Sequence, residues 1–351
     1  MIHFSEVLGH EQPLDTLRRA LASGRLHHAY LFLGPAGIGK GGVAEAFAAA
    51  LLCESPGRPE IPHPEVSRET REEACGRCAS CVWVKSRTHP DFHRLEVPEG
   101  KSRIAIEQFH ALEATLQLAA YGRRRRVAIA DPADLLSREA QHAFLKTLEE
   151  PRPDTVLVLV TARPSALLAT IRSRCQQLVF GPIPADRLSH ALIERWNVPR
   201  ERADLLAGLS RGSVGRALEL QKEQTLAQRD ILLDAAGQAA RGAIGPGLAW
   251  AEQFRALPDD RDRALGLLEL MALYARDVLV LASGGRAADL AHRDRADRIA
   301  RDAVAPGAPH RAARAFERIE QTRRDIQRNV NPALALQVLF TDLAAGGGAC
   351  P

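Results

Sequence analysis

The stretch "LFLGPAGIGKGG", Leu31 to Gly42, has the spacing of a loop that holds phosphate. Gly34, Gly37 and Gly39 let backbone N–H groups close around phosphate oxygens, and the helix that follows favours negative charge at its N-terminus. Lys40 would reach the terminal phosphates of a nucleotide. The next position departs from the pattern, because a hydroxyl there normally ligates Mg²⁺ and Gly41 has no oxygen to offer. Only five lysines occur in the chain, so a lysine at this place inside a full glycine match marks phosphate-loop ancestry. Ancestry leaves open whether ATP binds.

A second stretch, "RRRRVAIADPAD", reads as a strand ending on Asp131. In sites that hydrolyse ATP, a glutamate after this aspartate positions the attacking water; Pro132 stands here and cannot accept a proton. Asp134 is better placed to cap the next helix than to replace it. The run Arg123 to Arg126 could contact a nucleic-acid backbone, although such a run is more often a solvated face before a strand.

Cys75, Cys78 and Cys81 form a C-x₂-C-x₂-C run, and Cys53 lies upstream with 21 residues between it and Cys75. Four thiolates surround Zn²⁺ tetrahedrally, and two-residue spacers let consecutive sulfurs converge on one ion. Free thiols and an iron–sulfur cluster are the other readings. His63, His89 and His93 are nearby substitutes should Cys53 not reach. With all four places filled by protein, the site would be structural. The six cysteines are too few and too clustered for a secreted disulfide framework in a chain of 351 residues.

The fourth stretch is "LLATIRSRCQQL", Leu167 to Leu178. An arginine on a loop at a domain edge can enter a neighbouring subunit's nucleotide site and neutralise transition-state charge, an effect on the order of 10³ to 10⁵ in rate. Arg174 is the residue so placed; its alternative role is a surface ion pair.

The elements that must position these residues follow from periodicity. Leu14, Leu17 and Leu21 predict an amphipathic helix over 11–23, "AYLFLG" a strand, and "GVAEAFAAALLC" a helix directly after the loop. A helix at 105–119, a strand at 126–131, a helix at 138–150 and a strand at 155–162 continue the alternation, which implies a parallel sheet with helices on both faces. Residues 54–74, rich in Pro, Glu and Arg, read as an exposed insertion. From about 186 no strand is expected. An apolar content of 46%, 26% charged residues and a net charge of +4 describe an ordinary globular chain, with no overall basicity to announce nucleic acid. No run is long and apolar enough for a membrane helix, and "MIHFSEVLGHEQ" lacks the regions of a signal peptide, so the cytoplasm is the expected compartment.

Taken together and in this order, these pieces resemble one family, the bacterial clamp-loader subunits of the AAA+ class. "FSEVLGHEQPLDTLRRAL", "RLHHAYLFLGPAGIGK", the four cysteines, "LLSREAQHAFLKTLEEP", "ATIRSRC" and "NVNPALALQVLF" each resemble that family's segments. The resemblance implies an α/β RecA-like AAA+ domain over 1–182 with a zinc module at about 53–92. A helical lid over 183–225 and an all-α collar over 226–351 would follow. Within the family the chain resembles the delta prime branch of DNA polymerase III rather than the ATP-hydrolysing gamma/tau branch. "GSVGRAL", Gly212 to Leu218, resembles a second-sensor helix whose arginine touches the terminal phosphate, and Gly215 occupies that arginine's place. Arg216 is one residue on, about 100° around the helix, and is expected to point elsewhere.

The resemblance therefore implies a subunit without its own hydrolysis whose Arg174 acts in trans on a gamma/tau site. The implied partners are gamma/tau, delta, the sliding clamp and, through the complex, primed DNA. Two other readings stand beside it: an active gamma/tau-like ATPase using Lys40 and Asp131, and a zinc-dependent DNA-binding module outside any ring.

Overall fold

A computed structural model describes residues 3–56, 73–118, 120–121, 125–255 and 260–347. The chain divides into two compact units, one formed by Met1–Pro184 with Ser213–Gly215, the other by Ala185–Gly212 with Arg216–Pro351.

The first unit opens with α1 (Glu11–Ser23), β1 (Ala29–Leu33), α2 (Lys40–Leu52), α3 (Ala79–Lys85) and β2 (Phe92–Leu95). It continues through α4 (Ile106–Gln117), β3 (Arg126–Ala130), α5 (Arg138–Glu149), β4 (Thr155–Thr161), α6 (Ala169–Arg174) and β5 (Gln176–Val179). The five strands form one sheet in the order β2-β3-β4-β1-β5, every pair parallel. Every residue of β3 and β4 is buried, as strands covered on both faces must be. Alternation divides their side chains between two cores. Tyr30 and Phe32 of β1, Val127 and Ile129 of β3, and Val156, Val158 and Val160 of β4 join the core that also holds Leu14, Leu17 and Phe47. Ala29, Leu31, Ala128, Leu157 and Leu159 join the other, with Phe109, Leu112 and Phe144. The alanines of α2 let that helix lie close to the sheet, all but buried along its length.

Two strands and two helices lie outside the sequence expectation. β2 and β5 are the sheet edges, and their sequences, "FHRL" and "QQLV", carry no continuous apolar run. α3 and α6 have only seven and six residues, too short for periodicity to show. Of the supposed exposed insertion, residues 57–72 lie outside the described part, while Glu73 and Ala74 at its end are buried.

The second unit is helical among its described residues: α7 (Ala185–Trp196), α8 (Arg200–Leu209), most of α9 (Val214–Leu220), α10 (Glu223–Ala239), α11 (Gly245–Ala251), α12 (Asp260–Ala282), α13 (Ala296–Val304), α14 (Ala308–Gln327) and α15 (Pro332–Gly347). The long α12 packs against α14, α13 and α10. Trp250, Phe254 and Phe340 form an aromatic cluster, close enough that a Cβ on Gly247 would meet the Phe340 ring at 2.5 Å. Two buried charges of this unit are paired. Arg229, 2% exposed, reaches Asp294 at 2.6 Å, and Asp277 accepts from His292 Nδ1 and from the backbone N–H groups of Ala291 and His292. No described helix is long and apolar enough to cross a membrane.

Candidate functional site

In an open parallel sheet, ligands bind where loops leave the carboxyl ends of the strands. Gly34 follows β1, Asp131 follows β3, and Thr161 ends β4, which lies between those two strands. Gly34 runs so close to the chain beyond β5 that a Cβ would meet the Phe180 carbonyl oxygen at 2.2 Å. Gly37 and Gly39 have φ of 74° and 102°, the left-handed region where glycine costs least. α2 starts immediately afterwards, so its unpaired N–H groups face the loop.

Lys40 is turned into this loop. Its Nζ donates to the carbonyls of Gly34 at 2.8 Å and Pro35 at 2.6 Å. Burial lowers its pKa from the ordinary lysine value, opposed by the charges of Asp131 and Asp134. A Cβ on Gly41 would lie 2.5 Å from Oδ2 of Asp131, so a serine or threonine there would have to displace that carboxylate. Asp131 is itself pushed up by burial and drawn down by Arg94 and Lys40.

Gly215 opens α9 within the first unit and donates its N–H to the Gly37 carbonyl at 3.0 Å. A Cβ at this position would lie 3.2 Å from the same oxygen, so glycine suits the close approach to the loop. Arg216 pairs with Glu219 at 2.8 Å and hydrogen-bonds the Gly266 carbonyl at 2.5 Å, both in the helical unit.

Two expectations are corrected. Asp134 does not cap α5; Ser137 does, accepting from the Ala140 N–H at 3.1 Å. Asp134 instead accepts from Thr161 Oγ1 and from Arg163 Nε, each at 2.8 Å, tying the end of β4 to the turn after β3. Arg174 is the last residue of α6 and not a loop residue. Its Nη2 lies 2.7 Å from Glu149 Oε1 and its Nη1 donates to the Thr170 carbonyl, while the side chain remains 36% exposed.

In the arginine run, Arg123 and Arg124 lie outside the described residues. Arg126 is buried, its guanidinium donating to the carbonyls of Leu116 and Leu118, so it does not face a phosphate backbone.

The structure brings Cys53, at the end of α2, together with Cys75, Cys78 and Cys81. All four Sγ atoms lie within 4.8 Å of one another, and the Cys53–Cys78 and Cys75–Cys81 separations are both 4.0 Å. A tetrahedron with Zn–S of about 2.3 Å has S···S edges of about 3.8 Å. The donor set and its spacing therefore fit a tetrahedral ion. Backbone N–H groups of Cys75, Cys78 and Cys81 donate to Cys53, Cys75 and Cys78 sulfurs in turn, as a thiolate cluster requires. The hydrogen bond from Cys81 chiefly draws the Cys53 thiol down to about 5. Gly76, at φ 77°, supplies the left-handed turn between the first two ligands of the run. Glu73, just before it, accepts from the Ser5 N–H and hydroxyl and lies 3.7 Å from Arg18. His89 is engaged with Ser80 and with the Asp91 N–H, and His63 lies outside the described residues.

Sequence reasoning passed over two residues beside the loop. His10, at φ 65°, places Nε2 2.9 Å from the Ile38 carbonyl and its ring edge on Phe180. Arg94 of β2 reaches Asp131. Nothing local in "GHEQ" or "FHRL" signals either contact, since the partners are remote in sequence.

A family model described as DNA polymerase III, delta subunit, matches residues 9–184. The DNA polymerase III subunit delta' of Pseudomonas aeruginosa is 35% identical over 263 residues, covering 73% of this chain and 76% of that one. The chain belongs to the clamp-loader subunit family of DNA polymerase III. The matched residues span nearly all of the first unit and its five-stranded parallel sheet. A second clamp-loader relative, the DNA polymerase III subunit tau of Escherichia coli, is 33% identical over 273 residues, covering 76% of this chain and 38% of that longer one. A solved structure, a DNA polymerase III gamma subunit-related protein of Thermotoga maritima, is 17% identical with a TM-score of 0.42, over 96% of this chain and 100% of that one.

Two outcomes test the loop. Gly41→Thr should change stability by no more than about 1 kcal/mol, because the new side chain has only to turn the end of the Asp131 carboxylate; a loss above about 3 kcal/mol in a denaturant titration would contradict that. Burial is the largest cause holding His10, His89 and His93 below their ordinary value of 6.5. As pH falls past 6.5 the unfolded chain takes up more protons than the folded one, so stability that is complete above 6.5 is lost on acidification. Unfolding midpoints should fall as pH drops below 6.5, and His10→Gln, which has no ring to protonate, should show a shallower fall.

Proposed function

We propose that this chain is the delta prime-type member of a clamp loader: a comparatively rigid wall that does not turn over ATP and lends Arg174 to a neighbouring gamma/tau site. The observation that carries the reading is the disposition of the loop. Lys40 is bonded to its own loop's carbonyls, residue 41 has no hydroxyl and sits against the Asp131 carboxylate, and Gly215 rests on Gly37. Pro132 offers no group to activate water.

Arg174 stands apart from that damage. It sits at the exposed end of a helix, always charged, and its present partner Glu149 is half exposed. An exposed pair of this kind is worth little, so another anion can compete for the guanidinium. In the arrangement proposed, the RecA-like domain over 1–182 is followed by a helical lid over 183–225 and a collar over 226–351 that joins a ring with gamma/tau and delta. The ring opens a sliding clamp and places it on primed DNA in the cytoplasm. The cysteine cluster holds a structural zinc ion, which would supply cross-linking and no reaction step.

The gamma/tau-like ATPase is the second reading, favoured by the near-equal identity to a tau subunit. A free-standing DNA-binding module finds less support, since Arg126 is turned inward.

The isolated chain should show no ATP turnover above the level of its Lys40→Ala variant. Reconstituted with gamma/tau and delta, an Arg174→Ala chain should assemble normally yet lower DNA-stimulated ATP turnover at least tenfold at the single site it faces. Unchanged turnover would refute the finger, and Lys40-dependent turnover by the chain alone would refute the non-hydrolysing reading. Metal analysis should find about one zinc per chain. Cys53→Ser should lower zinc retention against a chelator, and free thiols at all four positions in freshly purified protein would count against the assignment.

A further inference from the structure

β2 runs beside β3 with Arg94 opposite Ile129, so a long side chain from β2 can reach the carboxylate that follows β3. Arg94 does this, with Nη2 3.3 Å from Oδ2 of Asp131 and 2.7 Å from Oε1 of Glu96. Its Nη1 donates to Glu45 Oε1 on α2. Arg87 closes the outer side of the group, 3.2 Å from Glu45 and 3.4 Å from Glu96. Three carboxylates from three parts of the chain thus converge on one guanidinium that is only 14% exposed.

The carboxylate oxygen concerned is the important one. In a phosphate-loop site the metal is held by the hydroxyl after the loop lysine and by an aspartate at the end of another strand of the sheet. Here the two requirements collide on a single atom: Asp131 Oδ2 lies 2.5 Å from where a Cβ on residue 41 would be, and it is the atom that Arg94 engages. Mg²⁺ demands near-octahedral oxygens at about 2.0–2.1 Å and keeps several waters. The residues present do not fit that ion, because one oxygen donor is missing and another faces a fixed cation.

We propose that Arg94 is the resident cation of this site, a positioning residue that takes the charge-balancing place of a divalent metal beside Asp131 and keeps metal out. Chemically the exchange is consistent. A guanidinium is charged at every relevant pH and offers donors in a fixed fork, so it can hold several carboxylates at once without bound water. It cannot coordinate a phosphate oxygen and a carboxylate oxygen as a metal bridge does. The assignment deepens the non-hydrolysing reading and rests on it, since it supplies a cause for metal exclusion beyond the missing hydroxyl.

The test uses the full chain with its cysteine cluster loaded with zinc, Mn²⁺ as the probe, no nucleotide, and electron paramagnetic resonance to count free ion. Arg94→Met removes the charge and keeps the stem, leaving Glu45, Glu96 and Asp131 together. It should bind Mn²⁺ at least about tenfold more tightly than wild type, equivalent to about 1.4 kcal/mol. Arg94→Lys retains a cation and should behave as wild type, and Asp131→Asn added to Arg94→Met should abolish the gain. A purely structural role would destabilise the methionine variant without changing its metal affinity. Equal Mn²⁺ affinity in wild type and Arg94→Met overturns the proposal. Should Arg94→Met not fold in metal-free buffer, millimolar Mn²⁺ must restore its folding; failure to restore it also overturns the proposal. Because ATP is absent, the outcome is separate from the turnover assay that decides the non-hydrolysing reading.

Discussion

Burial of β1, β3 and β4 on both faces is the constraint from which the first unit's arrangement follows. Strands clad by helices on either side must be apolar throughout, must run parallel, and leave polar function only at their ends. The carboxyl edge of the sheet therefore collects the loop after Leu33, Asp131 after Ala130 and Thr161 at the close of β4. The ladder fixes those three ends, and α2, which starts at Lys40, brings Lys40 and Gly41 to the same edge. A side chain at residue 41 would meet the carboxylate that follows β3, two strands away from β1.

The central strands and the larger helices were legible because their patterns are local. "TVLVLVT" and "RVAIA" are continuous apolar runs, and α1, α2, α4 and α5 have helical spacing over at least three turns. The edge strands were not, because each is half exposed and reads as mixed polar sequence. The glycines of the loop, Lys40 and the run of Cys75, Cys78 and Cys81 could be named from spacing; Cys53, 21 residues upstream, could only be offered as the fourth ligand beside three histidines. Arg94 could not be named: its partners Glu45, Glu96 and Asp131 come from a helix, a strand end and a second strand end, and only the β2–β3 register sets them opposite. Asp134 and Ser137 show the same limit on a smaller scale. Both have capping chemistry, and the turn geometry after β3 decides which one caps.

The long interval between Cys53 and Cys75 illustrates why sequence distance is a weak guide to ligand sets. Closing a loop costs only slowly more as it lengthens. What matters is that both ends are fixed: Cys53 by the end of α2 in the sheet's core, and Cys75 by Glu73, which is held by Ser5 and Arg18. The fourth sulfur is thus delivered by the main core and the other three by a short knuckle, so a metal there ties a small appendage to the sheet.

Lys40 carries a consequence for anything that enters the loop. Its ammonium already has two carbonyl acceptors, at 2.8 and 2.6 Å, and is almost wholly withdrawn from water. An incoming anion would have to take the lysine away from Gly34 and Pro35, and those carbonyls would then need other donors. Affinity here is a difference between two occupants of the same ammonium, one of which is the protein's own backbone. Entry of an anion is therefore an exchange of partners at Lys40, with Gly34 and Pro35 as the ones displaced.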